Sequence, residues 1–230
     1  MFAGAAAAEP CRDVMHLGDS YTVCTVENAA TINLWLKDND GRVVGEFFSL
    51  QEQLAEQGQT LTFAMNGGMY HSDRRPVGAL RINGIDLAPL QLNAGPGNFG
   101  MLPNGVLCIY ENHVLVMSTG MFLPTARPCK DVTQSGPMLV IDGELHPRFI
   151  PDSTSRFIRN GVGTNYDDGV AVFAISNDPV NFHTFARFFR DHLGLRQALY
   201  FDGNVSRLHA TDLNRSDLGF PMGPIVGVVD

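Results

Sequence analysis

The apolar run Ala198-Leu199-Tyr200-Phe201 ends in Asp202-Gly203, so a carboxylate stands at the close of a stretch that reads as a strand buried on both faces. Such a carboxylate can serve as a base or as a nucleophile toward carbon. Leu61 to Tyr70 (LTFAMNGGMY) repeats the arrangement with the amide of Asn66. Gly67 and Gly68 follow it, and two glycines after a strand let the backbone approach a neighbour or ligand closely. Two strand ends of this kind predict one shared site. Further polar groups stand on glycine-rich stretches: Asn98 in Asn93 to Gly100, the run Gln134-Ser135-Gly136, Arg156, Arg159 and Asn160 in Pro151 to Gly163, and Ser206 after Gly203. Guanidinium forks suit planar bidentate anions. The competing role for Arg156 and Arg159 is a surface ion pair with Asp152 or Asp131.

Other chemistries lack their parts. Gly18-Asp19-Ser20-Tyr21 has no Asp-x-x-His near the C-terminus to complete a lipase-type triad, and no G-x-S-x-G, P-loop or H-E-x-x-H motif occurs. The seven histidines have no metal-ligand spacing, and Asp38 and Asp40 lack the distant Glu of a calcium loop, so neither a metal nor a cofactor is expected. Asp142-Gly143 and Asp167-Asp168-Gly169 read as turns. A net charge of -8 argues against nucleic acid as partner, while a small anion held by local arginines remains compatible with it. No apolar run approaches a membrane span. Nothing in the sequence speaks to the oligomeric state.

These residues need a scaffold of many short strands. Strands are expected at Tyr21 to Val26, Thr31 to Leu36, Leu61 to Met65, Val170 to Ile175 and Pro224 to Val229, with Asp38 to Gly41 turning into Arg42 to Phe48. Asn83-Gly84, Asn104-Gly105 and Asp142-Gly143 predict hairpins between Val77 and Ile150. One helix is expected from Ser49 to Gln57, opened by a Ser49/Glu52 capping box and closed at Gly58. A second is capped by Asn181, with Phe182, Phe185, Ala186, Phe189 and Leu193 on one face before Gly194. The whole reads as an α+β fold, with mixed, strand-rich sheets and two main helices in a single domain over residues 11–230. Residues 1–10, MFAGAAAAEP, resemble the small-residue tail of a signal peptide. Four cysteines without zinc spacing leave disulfides or buried thiols; of the three connectivities, Cys11–Cys24 with Cys108–Cys129 is favoured because each pair is nearest in sequence and flanks strand-like segments, and oxidation would imply a periplasmic or secreted protein.

Taken in order, Asn66-Gly67-Gly68-Met69-Tyr70, Ser135-Gly136-Pro137 leading to Asp142-Gly143, Arg159-Asn160-Gly161-Val162-Gly163, and Asp202-Gly203-Asn204-Val205-Ser206 resemble the phosphodiester glycosidase family. The resemblance spans Leu61 to Val229. Asn160 and Gly161 depart from the family's Thr and Ala, and Asn204 and Val205 from two glycines. Membership implies a hydrolase that cleaves the glycosidic bond of a glycosyl phosphodiester and takes a small or polymeric glycan phosphodiester. On this pattern Asp202, Arg159 and Asn66 are the catalytic candidates. Gly67, Gly68, Asn98, Gln134, Ser135, Gly136, Arg156, Asn160, Gly203 and Ser206 are the candidates for substrate binding. The alternative implied by the departures beside Asp202 is a non-catalytic glycan- or phosphate-binding envelope protein on the same fold.

Overall fold

The computed structural model describes residues 10–95, 97–123, 129–166, 168–202 and 204–230. The Ala-rich start, all but its residue 10, and Gly203 lie outside them. Three sheets make up the described chain. The largest runs in the spatial order Cys11–His16, Asp19–Val26, Ala171–Ser176, Asn160–Thr164, Gln197–Asp202, Met138–Ile141 and Glu144–Leu145. A second has the order Arg215–Ser216, Leu208–Ala210, Leu61–Asn66, Ile225–Val229 and Ile32–Trp35. The third is Ile85–Ala88, Leu80–Ile82, Asp131–Ser135, Gly105–Ile109 and Val114–Ser118. Mixed sheets were expected, yet every one of these strand pairs runs antiparallel.

Gln197–Asp202 is buried along its whole length, as its unbroken apolar text requires. Leu199 and Phe201 point into a core shared with Phe63, Leu107 and Val116 of the other two sheets. Ala198 and Tyr200 point the opposite way, against Tyr21, Phe185 and Phe188. That second layer is the helix Phe182–Arg187 with its wider continuation Phe188–His192, and Asn181 caps it by accepting from the Thr184 N–H at 2.8 Å. The first helix is Phe47–Ala55, which buries Phe47, Leu50 and Leu54. It starts two residues before the expected point, so Ser49 lies within the first turn and the capping box does not form. Burying Phe47 outweighs a polar cap worth about 1 kcal/mol. For the same reason Arg42 to Phe48 is no strand, and only the Lys37–Val43 bridge pairs there.

Two other local readings are overturned. Asn104-Gly105 is no hairpin turn, since Gly105 begins a buried strand where an added Cβ would lie 2.2 Å from the Met138 sulfur. Arg159 to Gly163 is not loop but leads into the central strand Asn160–Thr164. Its glycines, poor strand formers in isolation, permit tight packing: a Cβ on Gly161 would meet the Leu199 carbonyl at 2.4 Å. Asn83-Gly84 and Asp142-Gly143 do turn hairpins, with Asn83 and Asp142 at positive φ. Both expected disulfides are present, Cys11–Cys24 across paired strands and Cys108–Cys129 between a strand of the third sheet and the segment just before Asp131–Ser135.

Candidate functional site

Asn66 and Asp202 are the last residues of strands in different sheets, and Asn160 joins them. Asn160 Nδ2 donates to the Asn66 carbonyl and to Asn66 Oδ1, both at 3.0 Å, and Asn66 Nδ2 donates to Asn160 Oδ1 at 3.2 Å. Asn160 Oδ1 also accepts the Asp202 N–H at 3.3 Å, and Asn66 Oδ1 accepts the Arg207 N–H at 3.1 Å. Both asparagines are fully buried, so these bonds form in a low dielectric where a lost partner is costly. Asp202 as a whole is 9% exposed. Its Oδ1 accepts the Asn204 N–H at 2.9 Å, which tucks the chain under the carboxylate, and the chain crosses to the second sheet instead of returning as a hairpin.

Asp202 opens onto a cleft of about 680 Å³. Tyr70, Tyr200, Phe157 and Phe220 supply aromatic walls, and His71, Ser72, Arg74, Asn98 and Asn204 supply polar groups. Burial, reinforced by the charge of Asp202, raises the Tyr70 phenol to about 12, so it stays protonated, and its hydroxyl donates to the Pro221 carbonyl at 3.2 Å. Tyr200 is pushed up by burial too, with the Arg159 cation opposing and the Asp202 anion reinforcing. The Asn98 side chain bonds to the Tyr200 hydroxyl from the short turn Gly97–Gly100.

The arginines divide differently from expectation. Arg159 is 1% exposed and stands behind the cleft wall, not in the cleft. Its Nε donates to the Val180 carbonyl at 2.9 Å, one terminal nitrogen to Tyr200 Oη at 3.2 Å, and the other to the Ser155 carbonyl at 3.1 Å. The guanidinium lies 3.7 Å over the Phe182 ring, and burial lowers its pKa. Arg156 is on the surface, bonded to the Pro179 carbonyl and paired with Asp19 at 3.5 Å, a partner other than the Asp152 or Asp131 considered from sequence. Arg74 is the guanidinium that lines the cleft. It sits 5.4 Å over the Tyr70 ring and makes no ion pair or side-chain hydrogen bond among the described residues. Its backbone is left-handed at φ 69, an uncommon place for a residue with a side chain.

Several sequence candidates hold the frame together and do not face the cleft. The Gly67 N–H donates to the Pro224 carbonyl at 2.7 Å and its carbonyl accepts from Thr133 Oγ1 at 2.6 Å, so that amide has no donor left for a ligand. At Gly68 a Cβ would lie 2.9 Å from Thr133 Oγ1. The two glycines therefore admit a neighbouring strand. Gln134 is buried and spans from Ala79 to Gln91 with both ends of its amide. Ser135 Oγ donates to the Phe201 carbonyl at 2.7 Å, and Gly136 leaves room for Asn104. Ser206 Oγ donates to the Asp202 carbonyl at 2.7 Å, with the Ile158 carbonyl an alternative acceptor at 3.0 Å, closing the turn after the carboxylate. Gly203, a binding candidate, falls outside the described residues. Of the candidates, Asp202 and Asn98 line the cleft, and Asn66 and Asn160 support Asp202 from behind. Tyr70, Arg74 and Tyr200 were missed. Arg74 belongs to the polar, Pro-broken run HSDRRP directly after Asn-Gly-Gly, and that adjacency was the available signal.

The cleft thus brings one carboxylate, aromatic walls and a guanidinium with no ion pair among the described residues onto a strand-rich scaffold, a lining whose chemistry can accommodate a polar, anionic group. The comparisons say which class has this frame. Residues 59–223 match the model of the phosphodiester glycosidase family, and the chain belongs to that family. Uncharacterized protein YigE of Escherichia coli (strain K12) is 37% identical over 175 residues, 76% of this chain and 67% of that one. The zebrafish N-acetylglucosamine-1-phosphodiester alpha-N-acetylglucosaminidase catalytic domain, auto-inhibited by its pro-peptide, aligns with a TM-score of 0.65 at 13% identity. That alignment covers 95% of this chain and 81% of the zebrafish one, a likeness of fold.

Proposed function

We propose that the protein hydrolyses the glycosidic bond of a glycosyl phosphodiester, with Asp202 as the carboxylate that meets the anomeric carbon. The observation that carries this reading is the presence, in one cleft, of the held carboxylate of Asp202 and the Arg74 guanidinium, which makes no ion pair among the described residues. Ordinary glycosidases use two carboxylates because an alcohol must be protonated as it leaves. A phosphate monoester leaves as a stable anion and needs positive charge at its oxygens instead. Arg74 supplies that charge, in place of Arg159 and Arg156. Asp202 acts as nucleophile or as base for water, and Asn98 and Asn204 bond sugar hydroxyls. Arg159 works through Tyr200: because Tyr200 Oη accepts from Arg159, its own proton is turned toward another acceptor.

The two disulfides support a periplasmic or secreted location. Asp202→Asn keeps the acceptor for the Asn204 N–H and is nearly isosteric. It should abolish release of reducing sugar from a glycosyl phosphodiester with almost no change in melting temperature. Undiminished turnover in that variant removes Asp202 from the chemistry. Stoichiometric binding of a glycosyl phosphate with no turnover by the unaltered protein favours the binding-protein reading.

A further inference from the structure

A second cavity, of about 470 Å³, lies apart from the Asp202 cleft and shares no lining residue with it. Its wall holds Trp35, the single tryptophan of the chain, and five amide side chains, those of Asn33, Gln53, Gln57, Gln59 and Asn83. Trp35 and Asn33 sit two apart on the edge strand Ile32–Trp35, so their side chains share a face. Gln53, in the last turn of the first helix, and Gln57, in the turn just after it, line the same cavity. The side chains of Gln53, Gln57 and Gln59 make no hydrogen bond among the described residues, and Gln53 Oε1 is a buried acceptor with no partner. An unsatisfied buried carbonyl costs about 1–3 kcal/mol and marks a position a ligand donor can fill. The charged groups nearly cancel: Lys37 is matched by Asp131, whose carboxylate is already bonded to the Asn83 N–H at 2.6 Å and lies 3.8 Å from Lys130. Exposed Ile85 and Leu87 extend the apolar surface at the rim.

An indole face beside planar amides, with little net charge, fits a pyranose ring: its C–H face packs on the indole while its hydroxyls pair with groups that both donate and accept. We propose that this cavity is a second glycan-binding site, taking an uncharged stretch of oligosaccharide. Its position fits a polymer. The strand Leu61–Asn66 has Asn66 behind Asp202 at one end, and at the other Leu61 pairs with Val229, which lines the second cavity. Six strand residues separate the two sites by about 17 Å along the strand, several sugar units. The site does not need Asp202 to be catalytic; it adds to the proposed function the expectation that the substrate is a chain rather than a single sugar.

Because Trp35 is the only indole, tryptophan emission reports this cavity alone. The full-length protein is titrated with chitotetraose, cellotetraose and maltotetraose. Saturable change with at least one of them, at a dissociation constant of about 1 mM, is expected, and Gln53→Ala and Gln57→Ala should each weaken it about tenfold. Asp202→Asn should bind as the unaltered protein does, so loss of turnover and loss of this binding are separate results. No emission change with any of the three sugars overturns the site. A change that survives in both glutamine variants also overturns it, because the amides would then take no part.

Discussion

Asn160 and Asp202 are register partners on adjacent central strands, and the side-chain oxygen of the first accepts the backbone N–H of the second across an irregularity in that ladder. The strand pairing is thereby replaced, for one residue, by a side-chain bond, and Asn160 is free to reach Asn66 in another sheet. A strand carrying the candidate carboxylate and a strand from the second sheet are locked to one point. Replacing Asn66 with Ala takes the side-chain acceptor from the buried Arg207 N–H and the Nδ2 donor from Asn160 Oδ1, while Asn160 Nδ2 keeps only the backbone carbonyl of residue 66. It should cost about 1–3 kcal/mol of stability by denaturant unfolding and lower turnover as well.

Arg74 and Arg159 should part company on substitution. Arg159→Ala removes a stacked, buried guanidinium together with its bonds to the Val180 carbonyl and Tyr200 Oη, which should lower stability by about 2–4 kcal/mol. Arg74→Ala should leave the melting temperature nearly unchanged and weaken binding of a glycosyl phosphate about tenfold, or about 1.4 kcal/mol. Equal binding by Arg74→Ala and the unaltered protein would count against Arg74 as the anion partner.

Gly161 has no room for a side chain. A Cβ would stand 2.4 Å from the Leu199 carbonyl and push apart the two strands that position Asn160 and Asp202. Gly161→Ala should therefore be recovered insoluble or with a melting temperature lowered by at least about 6 °C, from a cost above about 3 kcal/mol.

The disulfides close spans of 13 and 21 residues. On chain-entropy grounds each contributes about 3 kcal/mol, so reduction should lower the denaturation midpoint markedly and cysteine-to-alanine pairs should do so separately.

Acid should loosen the fold through its histidines. Burial lowers the pKa of His16, His146, His183 and His209 below the ordinary 6.5. In that case the unfolded chain binds more protons than the native one, so stability is complete above about pH 6.5 and falls as pH drops below it. Asp131, raised by burial, works in the opposite sense at the lower pH where carboxylates titrate. Melting temperatures measured from pH 8 down to about pH 5 should decline through the histidine range; a flat profile there would contradict the buried, neutral histidines.

The strand ends were legible in the amino-acid sequence because their signal is local. An apolar run buried on both faces, then Asp-Gly or Asn-Gly-Gly, marks a strand and its stop within ten residues. The disulfide pairs, the Asn181 cap and the ordered motifs that show the family were legible for the same reason. The central strand Asn160–Thr164 was not, because its Asn-Gly-Val-Gly text has low strand propensity and is strand only where neighbouring carbonyls press close on the glycines. Tertiary packing alone decided which arginine faces the cleft. Arg159 and Arg74 both follow polar, turn-forming text, yet an aromatic layer from the second helix covers the first while a left-handed turn leaves the second open. Residue type states what a side chain can do; burial and the direction of its Cα–Cβ bond, set by strands far away in sequence, determine whether it meets a ligand.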